Sequence, residues 1–178
     1  MENDWAVQTE SPPRFRPVRD LRAIPARADE VWTVISTPGH LEQVHPFCER
    51  NPVSRWPGKG SVDEVHYRSG WIYRRTFTDW IDGVGYDLEI GAEGEPISHV
   101  SWRIEPSGHA ACELAISVWP RHLTNLPGVE PLIRLSVVGP MMRRYLRSVT
   151  EGISWFVTTG EPVAANQFGT HRWFSDRT

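Results

Sequence analysis

The sequence predicts an α+β domain in which a curved antiparallel sheet of about seven strands wraps on a long C-terminal helix, with two short helices after strand one. Three observations carry this reading. For more than seventy residues after Pro46, apolar and aromatic side chains alternate with polar ones between clusters of Gly and Pro, which is the pattern of a meander sheet with one dry face. From Val129 to Phe156 the apolar residues recur at spacings of three and four, the stripe of an amphipathic helix. With 178 residues, 39% of them hydrophobic, the chain is long and apolar enough for one core and falls in the range of one domain.

Residues 1–13 end in Ser11-Pro12-Pro13, which forms no regular element, so they are expected to be a flexible arm. The domain proper is expected at 14–160. Arg14 to Ile24 reads as extended, and Pro17 places it at a sheet edge or a strand start, where a missing N–H is tolerated. Asp29 and Glu30 then open a short helix, where carboxylates favour the positive end of the helix dipole, and Val31, Trp32 and Ile35 give it an apolar side. Thr37-Pro38 reads as the N-cap and first position of a second short helix, ended by His45-Pro46.

Strands are expected near Cys48–Trp56, Ser61–Arg68, Trp71–Ile81, Gly85–Gly91, Ile97–Glu105 and Ala110–Trp119, separated by Gly-containing turns such as Ser69-Gly70 and Asp82-Gly83. Alternation puts Tyr86, Leu88 and Ile90, Val100, Trp102 and Ile104, and Leu114, Ile116 and Val118 on the dry face. A dry face needs a cover. The helix from Val129 to Thr159 is the segment long enough to supply it: Leu132, Leu135, Val138, Met142, Tyr145, Val149, Ile153 and Phe156 face the sheet, and Arg134, Arg143, Arg144, Arg147 and Glu151 face out. At ~1.5 Å per residue it would span about 45 Å. Gly139-Pro140 is expected to kink it, with movement for ligand entry at the kink and in the loop His122 to Pro127. Gly160 ends it. The tail 161–178 holds Phe168, Trp173 and Phe174, which are costly to leave in water, so it is expected to pack on the domain or on a partner subunit.

The formal net charge of −3 offers no basic surface for nucleic acid. Cys48 and Cys112 lack the paired spacing of a zinc site and read as buried free thiols. No HxH, HxxxH or HExxH motif occurs among the histidines, so no metal and no cofactor are expected. No window is long and apolar enough for a membrane span, which makes integral membrane contact unexpected and a cytoplasmic location the default.

Short motifs add a family likeness. Ile24-Pro25-Ala26 runs into Glu30-Val31-Trp32, Pro38-Gly39-His40-Leu41 is followed by Pro46, and the last helix ends in Trp155-Phe156-Val157. Together with the element order, these make residues 18–160 resemble the START/Bet v 1-like (SRPBCC) superfamily, in particular its polyketide cyclase/dehydrase-like bacterial members. The resemblance implies the helix-grip fold and a cavity between sheet and helix for lipid, sterol, polyketide or hormone-like molecules. It implies no shared catalytic set, and a fold hosts many functions.

For such a cavity the inward positions Trp32, Tyr67, Tyr73, Phe77, Trp102, Leu114, Val138, Met142 and Tyr145 are the candidate ligand wall; the alternative is that they simply fill the core. Polar groups on inward positions discriminate better, because a buried polar group needs a partner. The candidates for catalysis are His45, Tyr73, Arg75 and Tyr145. His45 at the mouth has a pKa suited to general acid–base work, against the alternative of a surface histidine at a helix end. Arg75 could hold a carboxylate or enolate, against the alternative of pairing with an acid such as Glu64 at the rim. The leading function is binding of a small hydrophobic or aromatic molecule. A cyclase- or dehydratase-like lyase without metal is the alternative, and a protein–protein module that forms a homodimer through the aromatic tail and the outer helix face is a third.

Overall fold

The computed structural model describes residues 16–120 and 138–176. In chain order these form β1 (Val18–Ile24), α1 (Ala28–Ile35), α2 (Leu41–Val44), β2 (Cys48–Arg50), β3 (Val53–Arg55), β4 (Val62–Tyr67), β5 (Ile72–Ile81), β6 (Gly85–Gly91), β7 (Ser98–Gly108), β8 (Ala111–Trp119) and α3 (Gly139–Thr159). One antiparallel sheet has the order β1-β8-β7-β6-β5-β4-β2, with β3 also on β4. The meander between β4 and β8 is therefore continuous, and β1 returns to its far edge beside β8, Val18 opposite Val118. Pro17 stands immediately before this edge strand, where no ladder bond is lost.

The expected architecture is the one observed, with α3 lying against β1, β8, α1 and α2. The sheet has eight strands because the segment expected as one strand from Cys48 to Trp56 is broken at Asn51-Pro52. Pro52 cannot donate to the ladder, and the Asn51 side chain turns inward, donating to the Glu64 carbonyl at 2.7 Å. Both pieces still pair with β4, at Tyr67 and at Asp63.

One helical expectation needs correction. Thr37 does not cap α2: its hydroxyl donates back to the Thr33 carbonyl at 2.7 Å, residues 37–40 are turns, and α2 begins at Leu41. Gly139-Pro140 stands in the first turn of α3, and the residues that would precede a kink there, 121–137, lie outside the described residues. The 21 residues of α3 span roughly 31 Å. The earlier part of the expected helix, with Leu132, Arg134 and Leu135, the loop His122 to Pro127, and the arm 1–13 lie outside the described residues.

Side chains and caps hold α3 on the sheet. Thr150 donates to the Asp20 carboxylate of β1 at 2.6 Å, and Arg22 pairs with Glu151. Gly160 closes the helix in a left-handed conformation, φ 73°. At Gly152 the helix backbone meets α2 so closely that a Cβ would lie 2.1 Å from the Val44 carbonyl oxygen. The sequence therefore lets two helices touch backbone to backbone beside the sheet.

Candidate functional site

The inner face of the sheet divides into a filled half and a hollow half. Under α1, Trp32, Trp56, Phe77, Trp80 and Tyr86 pack ring against ring, with Phe77–Tyr86 centroids 4.9 Å apart and Trp32–Trp80 5.4 Å apart. The Trp56 indole donates to the Ser36 carbonyl at 2.8 Å and ties this cluster to the end of α1. Under α3 the sheet is not filled. A cavity of about 340 Å³ lies between Val65, Leu88, Val100, Trp102, Ile116 and Val118 of the strands and Met142, Tyr145, Leu146 and Val149 of the helix.

Of the expected wall, Tyr67, Tyr73, Trp102, Val138, Met142 and Tyr145 line this cavity, and Trp32, Phe77 and Leu114 do not. Phe77 and Leu114 point inward as the alternation requires and Trp32 lies on the apolar side of α1, but all three fall in solid packing: Phe77 and Leu114 are fully buried. Leu146, inward on α3, was absent from the predicted stripe, although it follows Met142 by four. The tail also contributes. Residues 161–176 lie back over the mouth region, with Val163 N–H donating to the Gln43 carbonyl and Asn166 N–H to the Pro46 carbonyl. Phe174 stacks on Tyr67 with centroids 4.4 Å apart and lines the cavity beside Trp173. Only their hydrophobicity marked these residues in the sequence.

The polar groups form two connected sets. In the first, Arg75 of β5 and Asp63 of β4 sit opposite each other in register, both nearly inaccessible. Arg75 Nε donates to Asp63 Oδ1 at 2.7 Å, a second guanidinium nitrogen bonds Oδ2, and Asn51 Nδ2 donates to Oδ2 at 3.0 Å. Burial alone would raise the Asp63 pKa, but the Arg75 charge and these hydrogen bonds hold it below the usual carboxylate range. Burial would likewise lower that of Arg75, and Asp63 holds it up. The arginine lines the cavity, yet its charge is already matched. Its partner is not Glu64, which faces the other way and instead accepts from His66 Nε2 at 2.8 Å. Period two places Asp63 in phase with Val65 and Tyr67, so the alternation itself pointed to the correct acid.

In the second set His45 is buried, not exposed at a helix end. Its ring contacts Phe47, Tyr67 and Tyr145, with centroids 5.6 to 5.8 Å away. The Phe47 N–H donates to His45 Nδ1 at 3.2 Å, so this nitrogen keeps its lone pair and the ring proton is on Nε2. Nε2 lies 2.9 Å from the Tyr145 hydroxyl, which lies 2.9 Å from the Tyr67 hydroxyl. Burial, with the Arg75 charge next, pushes the His45 pKa down to about 3, and burial raises those of Tyr67 and Tyr145. The set is neutral at ordinary pH. His45 offers the cavity side an N–H, not a lone pair, which removes the geometric basis for a general base there. Tyr73 stands at the wall with its ring 5.3 Å from Tyr67, and burial raises its pKa.

His40, five residues before His45, is among the buried polar residues that the sequence did not single out for the interior. It is buried, its Nδ1 donates to the Thr37 carbonyl at 2.9 Å, and its Nε2 has no partner among the described residues. Among the described residues no three His, Cys, Asp or Glu side chains converge as metal ligands, and no helix is long and apolar enough to cross a membrane.

Comparison with known proteins agrees with this geometry. Residues 17–153 match the family described as polyketide cyclase / dehydrase and lipid transport. No protein with a curated description matches the chain. Among solved structures, the chain is similar to a START superfamily protein from Mycobacterium smegmatis, with a TM-score of 0.65, 12% identity, and 81% of this chain and 98% of that one covered. It is similar to a truncated norcoclaurine synthase from Thalictrum flavum, TM-score 0.54 and 20% identity over 83% of this chain and 98% of that one. It is also similar to a protein of the dynemicin biosynthetic locus, TM-score 0.62 and 16% identity, covering 83% of this chain but spanning only 49% of that one. At these identities the structures show a shared fold.

Proposed function

Since the chain belongs to the polyketide cyclase / dehydrase and lipid transport family, we propose that it binds one small hydrophobic, ring-bearing molecule, polyketide- or lipid-like, between the sheet and α3. The observation that carries this reading is the cavity of about 340 Å³. It is of ligand size, and apolar side chains make up most of its wall. A core of this composition would gain by closing such a space, because an empty cavity forfeits dispersion contacts and costs stability with its volume. The contrast with the solid packing under α1 supports a hollow kept for an occupant. Tyr67, Tyr73, Trp102, Val138, Met142 and Tyr145 would contact it.

The test uses the neutral fluorescent probe N-phenyl-1-naphthylamine together with native mass spectrometry of protein freshly purified from cells. Saturable one-to-one fluorescence enhancement is expected, abolished by Val149→Trp, which places an indole in the hollow. Absence of saturable binding would overturn the reading. A second reading, a cyclase or dehydratase acting in the same cavity, is favoured by the hydrogen-bonded chain of His45, Tyr145 and Tyr67. It is also supported by likeness of fold to a di-domain ARO/CYC of the BE-7585A biosynthetic pathway, TM-score 0.60 and 15% identity over 80% of this chain and 47% of that one. It requires that turnover of a poly-ketone substrate disappear in Tyr145→Phe; unchanged turnover would leave binding alone.

A further inference from the structure

The hydrogen-bonded chain beneath the tail has one hydrogen too many. His45 carries its proton on Nε2, because the Phe47 N–H occupies Nδ1 at 3.2 Å. Tyr145 and Tyr67 each bring one hydroxyl hydrogen, so the three groups hold three donatable hydrogens. The two contacts, Nε2 to Tyr145 Oη and Tyr145 Oη to Tyr67 Oη, both 2.9 Å, consume two of them. If Tyr145 donates to Tyr67, the Tyr67 hydrogen is spare; if Tyr67 donates to Tyr145, the Tyr145 hydrogen is spare. Either way one O–H is left over, and neither hydroxyl has a further nitrogen or oxygen partner among the described residues. All three residues line the cavity. A buried hydroxyl hydrogen without an acceptor is costly, and that cost is relieved by an acceptor brought from outside.

Resting on the binding reading above, we propose that His45, Tyr145 and Tyr67 anchor the ligand through this surplus donor, and that the ligand carries a neutral acceptor oxygen, a ketone or other carbonyl, to receive it. The wall's charges argue for neutrality. Arg75 and Glu95 are the charged residues among those lining the cavity, and Arg75 is already matched by Asp63 within the protein. A carboxylate would enter without a free cation, and an ammonium would set its N–H groups against the spare hydroxyl hydrogen, with the one carboxylate of the wall, Glu95, exposed to solvent. A carbonyl oxygen gives up little hydration and meets a donor already in position. The anchor also sits under Phe174, 4.7 Å from the Tyr145 ring, so an aromatic ketone could place its ring against the apolar wall and its oxygen at the hydroxyls.

The experiment uses the full chain and three matched probes: 2-acetylnaphthalene, 2-ethylnaphthalene and 2-naphthoate. The infrared carbonyl stretch of bound 2-acetylnaphthalene is expected well below its value in hexane, the signature of a hydrogen bond. In the Tyr67→Phe/Tyr145→Phe double variant it should return toward the hexane value, and the affinity ratio of ketone to hydrocarbon should fall about tenfold. The naphthoate should bind more weakly than the ketone. If the ketone binds the unaltered protein with a hexane-like stretch, or binds no better than the naphthoate, the anchor is refuted while the cavity reading stands; a shifted stretch that survives the double variant refutes it equally. If neither the ketone nor the hydrocarbon binds, the cavity reading itself falls, and the anchor with it.

Discussion

Two histidines set how this protein should respond to acid. Burial, with the charge of Arg75 next, pushes both His40 and His45 from the ordinary value of 6.5 down to about 3, and the Phe47 N–H, by occupying the Nδ1 lone pair, further favours the neutral ring of His45. The unfolded chain takes up a proton at each near 6.5, and the folded chain does not until about 3. Stability contributed by these rings is thus complete above the unfolded value and declines as pH falls through that window, by about 1.4 kcal/mol per pH unit for each ring. Asp63, held low by Arg75, adds a loss of the same sign toward more acid pH. Urea midpoints followed from neutral pH to about pH 4.5 should fall steeply in the unaltered protein, and His40→Gln or His45→Gln should each remove one proton's worth of that slope; an unchanged slope would mean the ring is solvated. At this scale the sequence was partly legible. Tyr67, Tyr145 and Arg75 announced themselves by their phase on a strand or helix, and Asp63 could have done so. His45 could not, because residues at the end of a four-residue helix carry no period that says which way they point.

Between elements, the decisive contact is the one that carries no side chain. Gly152 lets α3 rest on the last turn of α2, with the position of its missing Cβ 2.1 Å from the Val44 carbonyl oxygen. Gly152→Ala would gain about 1 kcal/mol of helix propensity, but the overlap is with backbone, which no rotamer change relieves. A net loss of about 1–3 kcal/mol is expected in urea unfolding, together with displacement of His45, which caps α2; stabilisation would show that α2 yields freely. Elements were the most legible level of this molecule, because a sheet with one dry face prints its period directly into the sequence. Their ends were less so. Pro52, with no N–H for the ladder, splits an expected strand whose two halves both remain on β4, and a proline suits a helix start as well as a kink, which spacing alone does not separate.

For the molecule as a whole, periodicity tells which face is inward but not whether the space behind it is filled. Phe77 and Leu114 obeyed the same alternation as Tyr67 and Trp102 and ended in solid packing, because the cover above them is α1 with Trp32 and its aromatic cluster, whereas α3 stands over the hollow. The tail was legible only as a hydrophobic segment in need of shelter. Its place on the wall gives it a measurable role: Phe174→Ala should cost about 3 kcal/mol and enlarge the cavity, shifting preference from naphthalene-sized toward anthracene-sized probes. An unchanged size preference would relegate Phe174 to packing. The return of β1 to the far edge has a kinetic consequence. Val18 and its partner Val118 stand a hundred residues apart in the chain, a non-local closure added to a local meander, and such closures slow folding toward milliseconds to seconds. Until β8 arrives, β1 has no ladder and the helix no complete floor to settle on. The chamber is consequently complete only once the two ends of the sheet's chain have met, so its walls depend on a contact that no local segment can make alone.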